Sequence, residues 1–202
     1  MNSMQEQWWE KKLNIRTSGE VDHFIEESCN PYEPTDYRVL EALADSGYIT
    51  PESIVLDYGC GKGRTAIFLS SRTGCRATGI EFDQELYDEA VKNLKQSKLP
   101  GAYKKGISFV CSDARNYQVK EENCFYFFNP FADDILKIVL GKIRQSFYEN
   151  PRPMLLFFYY PYEAETAALM TADGLGFVDE IDCTQLFENH DRRERILIFE
   201  MG

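Results

Sequence analysis

The chain has 202 residues and a mass of 23.4 kDa, the size of one ordinary domain. Hydrophobic residues make up 44% and aromatic residues 14%, enough for a packed core and too much for a disordered chain. Thirty-three acidic against 22 basic side chains leave a net charge of −11, a field that repels polyanions and disfavours nucleic acid as a partner.

The longest uncharged apolar stretches, 124–132 and 154–162, are nine residues each, against about 20 for a membrane helix. The amino-terminal MNSMQEQWWEKK has no apolar run behind its charges, unlike a secretory signal. The expectation is a cytoplasmic protein that does not enter a membrane. Six cysteines (29, 60, 75, 111, 124 and 183) are at least 13 residues apart and form no CxxC pair, and the chain has two histidines. That spacing does not make a zinc site, so no metal is expected and the thiols read as reduced and buried.

Residues 1 to about 33 read as polar and irregular, with Trp8 and Trp9 as a hydrophobic anchor or a lid. A short helix is expected to open with Thr35 as N-cap, bury Val39, Leu40, Leu43 and Ala44, and close at Gly47. From Ser53 onward, short β-rich runs alternate with helical periods. Ile54 to Asp57 leads through a glycine loop to a helix over Arg64 to Ser71, and Arg76 to Glu81 leads to a helix over Gln84 to Lys95. Ile107 to Cys111 precedes about nine polar residues with room for one helical turn. Cys124 to Phe128, apolar throughout as in a strand covered on both faces, precedes a helix over Asp133 to Tyr148. Pro153 to Tyr160 precedes a helix near Glu163 to Thr171.

The alternation then breaks. Phe177 to Cys183 and Arg195 to Glu200 are strand-like runs joined by the charged segment 188–194, a pairing that favours an antiparallel hairpin. The reading is one α/β domain over 1–202. It has a doubly wound, mostly parallel seven-stranded Rossmann-like sheet with helices on both faces and the hairpin at one edge, and residues 1–50 form an extension covering the site.

In such a sheet a ligand lies beyond the carboxyl ends of the strands, where strand order reverses. The first strand ends in Asp57-Tyr58-Gly59-Cys60-Gly61-Lys62-Gly63, whose alternate glycines let the backbone turn sharply and approach a ligand. The second ends at Glu81, 18 residues after Gly63, where a carboxylate can accept from two ribose hydroxyls. A dinucleotide fingerprint wants a sixth-position glycine, which is Arg64 here, and Asp57 would repel a pyrophosphate while favouring a cationic ammonium or sulfonium.

IVLDYGCGKG, GIEFD and VCSDA resemble the first three motifs of the class I S-adenosylmethionine-dependent methyltransferase family, over residues 53 to about 131. The resemblance implies S-adenosylmethionine as cofactor. The loop of Gly59, Cys60, Gly61 and Gly63 would lie against its methionine part with Asp57 nearby, Glu81 would hold the ribose, and Asp113 would accept the adenine amino group.

Phe127-Phe128-Asn129-Pro130-Phe131 is similar to the Asn-Pro-Pro-aromatic motif of methyltransferases acting on planar NH₂ groups, with one proline instead of two. By that resemblance Asn129, Pro130 and Phe131 orient the acceptor, which is a small molecule or a protein side chain. Alternatives stay open. Asn129-Pro130 also reads as a strand-ending turn with Phe131 capping the core, and the domain as a non-catalytic nucleotide-binding module or a dinucleotide oxidoreductase. Tyr32 and Tyr160 are candidate cleft walls. Asp83 reads as a helix N-cap, Lys62 and Arg64 as exposed first-turn residues, Cys60 as a small residue between glycines, and His190 as solvated.

Overall fold

The computed structural model describes residues 3–19 and 32–202; Cys29 lies outside them. Seven strands form one sheet in the order β3-β2-β1-β4-β5-β7-β6. They are β1 (Ile54–Tyr58), β2 (Arg76–Glu81), β3 (Ile107–Cys111), β4 (Cys124–Phe127), β5 (Leu155–Tyr159), β6 (Leu175–Asp182) and β7 (Arg195–Met201). The first five run parallel, and β7 is antiparallel to both β5 and β6. Strand order reverses between β1 and β4, so the crevice expected to hold a ligand opens at their carboxyl ends.

The sheet is covered on both faces because its strands alternate between two cores. On one face Val55, Tyr126, Phe157 and Ile198 meet Trp9, Leu40, Leu43 and Phe68 from α1 (Ser3–Leu13), α2 (Tyr37–Asp45) and α3 (Arg64–Thr73). On the other, Leu56, Tyr58, Phe125, Phe127 and Phe158 stack against Ile135, Val139 and Ile143 of α6 (Asp133–Glu149). The remaining helices are α4 (Gln84–Gln96), α5 (Gly101–Lys105) and α7 (Glu163–Met170). Single 3₁₀ turns stand at Ala114–Asn116 and Thr184–Leu186.

Two expectations at the amino-terminal side need correction. The segment before residue 33 is not wholly irregular, because Ser3–Leu13 is helical. Its apolar face is narrow, but Trp9 and Leu13 stand four apart and both are buried. Trp9 packs edge-on against Phe68 at 4.8 Å and donates from its indole to Glu41 at 3.1 Å, so Trp9 is an anchor, while Trp8 is exposed. The N-cap of α2 is Asp36, which accepts from the Arg38 amide at 2.8 Å. Thr35 instead turns inward and hydrogen-bonds the Tyr126 hydroxyl at 3.0 Å.

Candidate functional site

The turn after β1 is held against the end of β2. The amides of Gly59 and Cys60 both donate to the Ile80 carbonyl at 2.9 Å, and the Gly63 amide donates to the Cys60 carbonyl at 2.8 Å. Gly59, Gly61 and Gly63 all have positive φ, of 73°, 51° and 81°. A Cβ at Gly61 would stand 2.0 Å from the Tyr32 ring, and one at Gly59 would stand 2.6 Å from Pro130. The glycines therefore admit protein as well as any ligand: Tyr32 lies across the loop, and the turn after β4 packs into it. Lys62 is tied down too, donating to the Ser18 carbonyl at 3.1 Å over the Tyr32 ring.

One cavity opens at these strand ends. It is lined by Asp57, Gly59, Cys60, Glu81, Asp113, Asn129, Pro130 and Phe131, together with Tyr32 and Arg64. Gly61 and Gly63 shape the loop without lining the cavity, and Gly63 is the N-cap residue of α3. Tyr160 walls a neighbouring cavity instead. His190 is exposed at the hairpin turn, and Asp83 caps α4 by accepting from the Leu86 amide at 2.8 Å.

The three carboxylates at the strand ends are in different electrostatic states. Glu81 is buried and accepts from the Gly61 amide at 2.8 Å and the Asp83 amide at 2.9 Å; burial nevertheless pushes its pKa up. Each oxygen keeps lone-pair capacity for a further donor. Asp113 caps the turn at Ala114–Asn116 through the Arg115 amide at 2.7 Å and pairs with the Arg115 guanidinium at 2.5 Å, which lowers its pKa.

Asp57 is 3% exposed, and its Oδ2 has no hydrogen-bond partner. Burial, and secondarily the charge of Glu81, pushes its pKa up to about 8. Burial likewise raises the Cys60 thiol, with Asp57 next in weight, so this cysteine is an inert packing residue against Gly79.

At the end of β4, Asn129 adopts φ +41°, and its Nδ2 donates to the Tyr160 carbonyl at 2.7 Å. The amide is thereby fixed across the β4 and β5 ends. Pro130 rests on Gly59. Phe131 lines the cavity and packs edge-on to Tyr58 at 6.2 Å, so it serves the core as well.

Arg64 corrects the expectation of an exposed first-turn residue. It is 3% exposed and donates to Thr17 Oγ1 at 2.7 Å, the Thr35 carbonyl at 3.0 Å and Glu6 at 2.6 Å, with its guanidinium 4.4 Å from the Tyr37 ring centre. The signal for it is faint: an arginine opening a helix, with Glu6 and Glu10 one helical turn apart far upstream.

A doubly wound sheet with a glycine loop and carboxylates at successive strand ends defines a Rossmann-like domain that binds a nucleoside-containing cofactor. A model of the methyltransferase domain family matches residues 55–137. The histone-lysine N-methyltransferase specific for H3 lysine-79 from Dictyostelium discoideum is 30% identical over 115 residues, 57% of this chain and 6% of that protein. A protein-lysine N-methyltransferase from Saccharolobus islandicus (strain REY15A) is 31% identical over 72 residues, 35% of this chain and 45% of that one. The matched part thus spans less than half of either relative's length. An RNA methyltransferase from Salinibacter ruber, solved in complex with S-adenosyl-L-homocysteine, shares the fold with a TM-score of 0.53 at 20% identity, over 84% of this chain and 92% of that one.

Over residues 55–137 the chain is thus similar to the methyltransferase domain family, and its fold is that of class I S-adenosylmethionine-dependent methyltransferases. The family's cofactor, S-adenosylmethionine, fits the residues present. It is a cation beside which Asp57 would gain a partner, and its ribose hydroxyls match the unused acceptor capacity of Glu81.

Proposed function

We propose that the chain transfers the methyl group of S-adenosylmethionine to a nitrogen acceptor. The observation that carries this reading is that Asn129, Pro130 and Phe131 line the same cavity as Asp57, Gly59, Glu81 and Asp113. When bound, the cofactor supplies an electrophilic sulfonium methyl group. Asp57 would favour its positive charge, Glu81 would accept from the ribose, and the Gly59–Gly63 loop would flank the methionine part. Asp113 would take the adenine amino group on lone pairs left over from Arg115. Asn129, its amide fixed by Tyr160, would accept a hydrogen bond from the acceptor nitrogen and hold its lone pair in line. Placement supplies most of the catalysis for such a displacement, so the chain's residues need to orient more than to exchange protons.

The acceptor belongs to a protein in this reading, supported by the two relatives that methylate protein lysines. Residues 3–19 and 32–36 would be an integral cover of the single domain, strapped down by Arg64. Unpaired buried thiols at Cys60, Cys75, Cys124 and Cys183 support a reducing compartment, the cytoplasm. Among the described residues, no helix is long and apolar enough to cross a membrane and no cluster of His, Cys, Asp and Glu can hold a metal.

The test has two parts. S-adenosylhomocysteine at 100 times its dissociation constant should stabilise the chain by about 2.7 kcal/mol and NAD should not; no stabilisation by the former would refute cofactor binding. Asn129→Ala should then leave that affinity unchanged while turnover falls about 10²-fold, because an orienting contact is lost. Full activity in Asn129→Ala would remove the residue from the site.

A further inference from the structure

Two non-glycine residues take the left-handed conformation at neighbouring strand ends: Asn129 after β4, at φ +41°, and Tyr160 after β5, at φ +56°. Asparagine tolerates that region, but a bulky aromatic residue adopts it only where its surroundings hold it there. The two are joined, because Asn129 Nδ2 donates to the Tyr160 carbonyl at 2.7 Å. A carbonyl only accepts, so the amide must turn its NH₂ end toward β5. Where Tyr160 places that oxygen therefore decides how the Asn129 amide is oriented.

Tyr160 is in turn held by the turn between β6 and β7. Its amide donates to the Arg195 carbonyl at 3.1 Å, and its hydroxyl donates to Asp191 Oδ2 at 2.9 Å. Asp191 is itself fixed, accepting from the Arg193 amide at 2.9 Å and pairing with the Arg193 guanidinium at 2.7 Å. Hydrogen bonding from Arg193 holds the Asp191 carboxyl well below the usual carboxylate range, so it stays an ionised acceptor. The same guanidinium lies 4.4 Å from the Tyr160 ring centre and 5.5 Å from that of Tyr162. The adjacent Tyr159 hydroxyl donates to Glu194, so both hydroxyls at the end of β5 reach the hairpin. Tyr159, Tyr160 and Glu194 wall a second cavity, which shares Phe128 with the first. Glycine would make the turn at residue 160 without strain; what tyrosine adds is a ring and a hydroxyl by which the hairpin grips the backbone.

We propose that the hairpin turn between β6 and β7 positions the methyl-transfer site. Through Asp191 and Arg193 it locks Tyr160, and through the Tyr160 carbonyl it sets the Asn129 amide to receive the acceptor nitrogen. The proposal rests on the methyl-transfer reading and adds Tyr160 and Asp191 to it as positioning residues that act through Asn129. Alignment is the quantity they control, and a misplacement of about 1 Å can cost a displacement reaction about 10²-fold.

The test uses the full ¹⁵N-labelled chain, in which Asn129→Ala identifies the Asn129 side-chain amide by its missing signal. Tyr160→Phe and Asp191→Ala should each speed exchange of that amide's protons with water at least about fivefold, the equivalent of one ordinary hydrogen bond. With labelled S-adenosylmethionine and a lysine-containing peptide as probe, the same variants should lower kcat by a similar factor, with KM and S-adenosylhomocysteine affinity unchanged. Asp191→Asn, which keeps a carbonyl acceptor for the Tyr160 hydroxyl, should recover most of both losses. Arg192→Ala, exposed in the same turn, should change neither. Native amide exchange in Tyr160→Phe and Asp191→Ala would overturn the proposal, as would faster exchange with native kcat, or a KM that rises as kcat falls. A chain that binds S-adenosylhomocysteine but labels no peptide would overturn the reading of a protein acceptor, and one that fails to bind it would overturn methyl transfer itself. In either case the exchange rates, measured without peptide or cofactor, still decide whether the hairpin fixes Asn129.

Discussion

Asp57 at the end of β1 is the most exposed prediction of the electrostatic argument, because its burial has a measurable sign. Its ordinary pKa of 3.8 rises to about 8 in the fold, through burial first and Glu81 second. Between those values the folded chain keeps a proton that the unfolded chain has lost, so without ligand this residue makes stability fall as pH rises from about 4 to about 8 and then level off. At about 1.36 kcal/mol per tenfold change, the loss reaches roughly 6 kcal/mol at most. Asp57→Asn keeps the shape and removes the charge, so the variant should match the native chain near pH 4 and exceed it at pH 9 by up to that amount. Urea unfolding of both proteins at intervals from pH 4 to 9, without cofactor, measures the difference, which includes the coupling of Asp57 to Glu81 and Cys60. The same substitution should narrow the preference for S-adenosylmethionine over S-adenosylhomocysteine, which lacks the sulfonium charge, most strongly above pH 8. A variant less stable than the native chain at pH 9, or a difference constant across the range, would refute the account of Asp57 as a buried carboxylate awaiting a cation.

The Gly61 and Asp83 amides bond different oxygens of Glu81, so Glu81→Gln keeps an acceptor for only one of them and loses charge-assisted acceptance. S-adenosylhomocysteine affinity, read by calorimetry, should fall roughly 10- to 150-fold, corresponding to about 1.5–3 kcal/mol. Gly61→Ala places a methyl 2.0 Å from Tyr32 at φ +51° and should cost about 1–3 kcal/mol, seen as a drop in Tm, while Gly101→Ala, with nothing within 4 Å of its new methyl, should be close to neutral.

The sheet was legible because each strand carries its own local signal. β2 and β3 begin and end where the β-rich runs do, and the solid apolar run at Cys124 marks a strand covered on both faces. The carboxylates at the strand ends followed from the topology of a doubly wound sheet, and Asp57, Glu81 and Asp113 do meet in one cavity. What was illegible depends on partners distant in sequence. Helix α1 shows only Trp9 and Leu13 on its apolar face, and its meaning comes from Phe68, 59 residues beyond Trp9. Arg64 looked like a solvated first-turn residue because the groups that bury it, Glu6, Thr17 and Thr35, lie 29 to 58 residues upstream. The second cavity draws Asp36, Phe128 and Glu194 from three separated stretches, and no local pattern connects them.

The strand-end carboxylates also show how an acidic chain can prepare for a cation. Three carboxyl groups around one cavity disfavour one another's ionisation, and each is managed differently. Backbone amides stabilise Glu81, which costs no side-chain entropy and leaves its position fixed. Arg115 neutralises Asp113 at the rim, so that residue is the least available of the three for a further charge. Asp57 is the one of the three that leaves a buried oxygen unbonded. Arg64, which lines the same cavity, is held by Glu6, Thr17 and Thr35. The amino-terminal segment therefore contributes to the wall of the site: through Glu6 and Thr17 it fixes a buried guanidinium that lines the same cavity as Asp57.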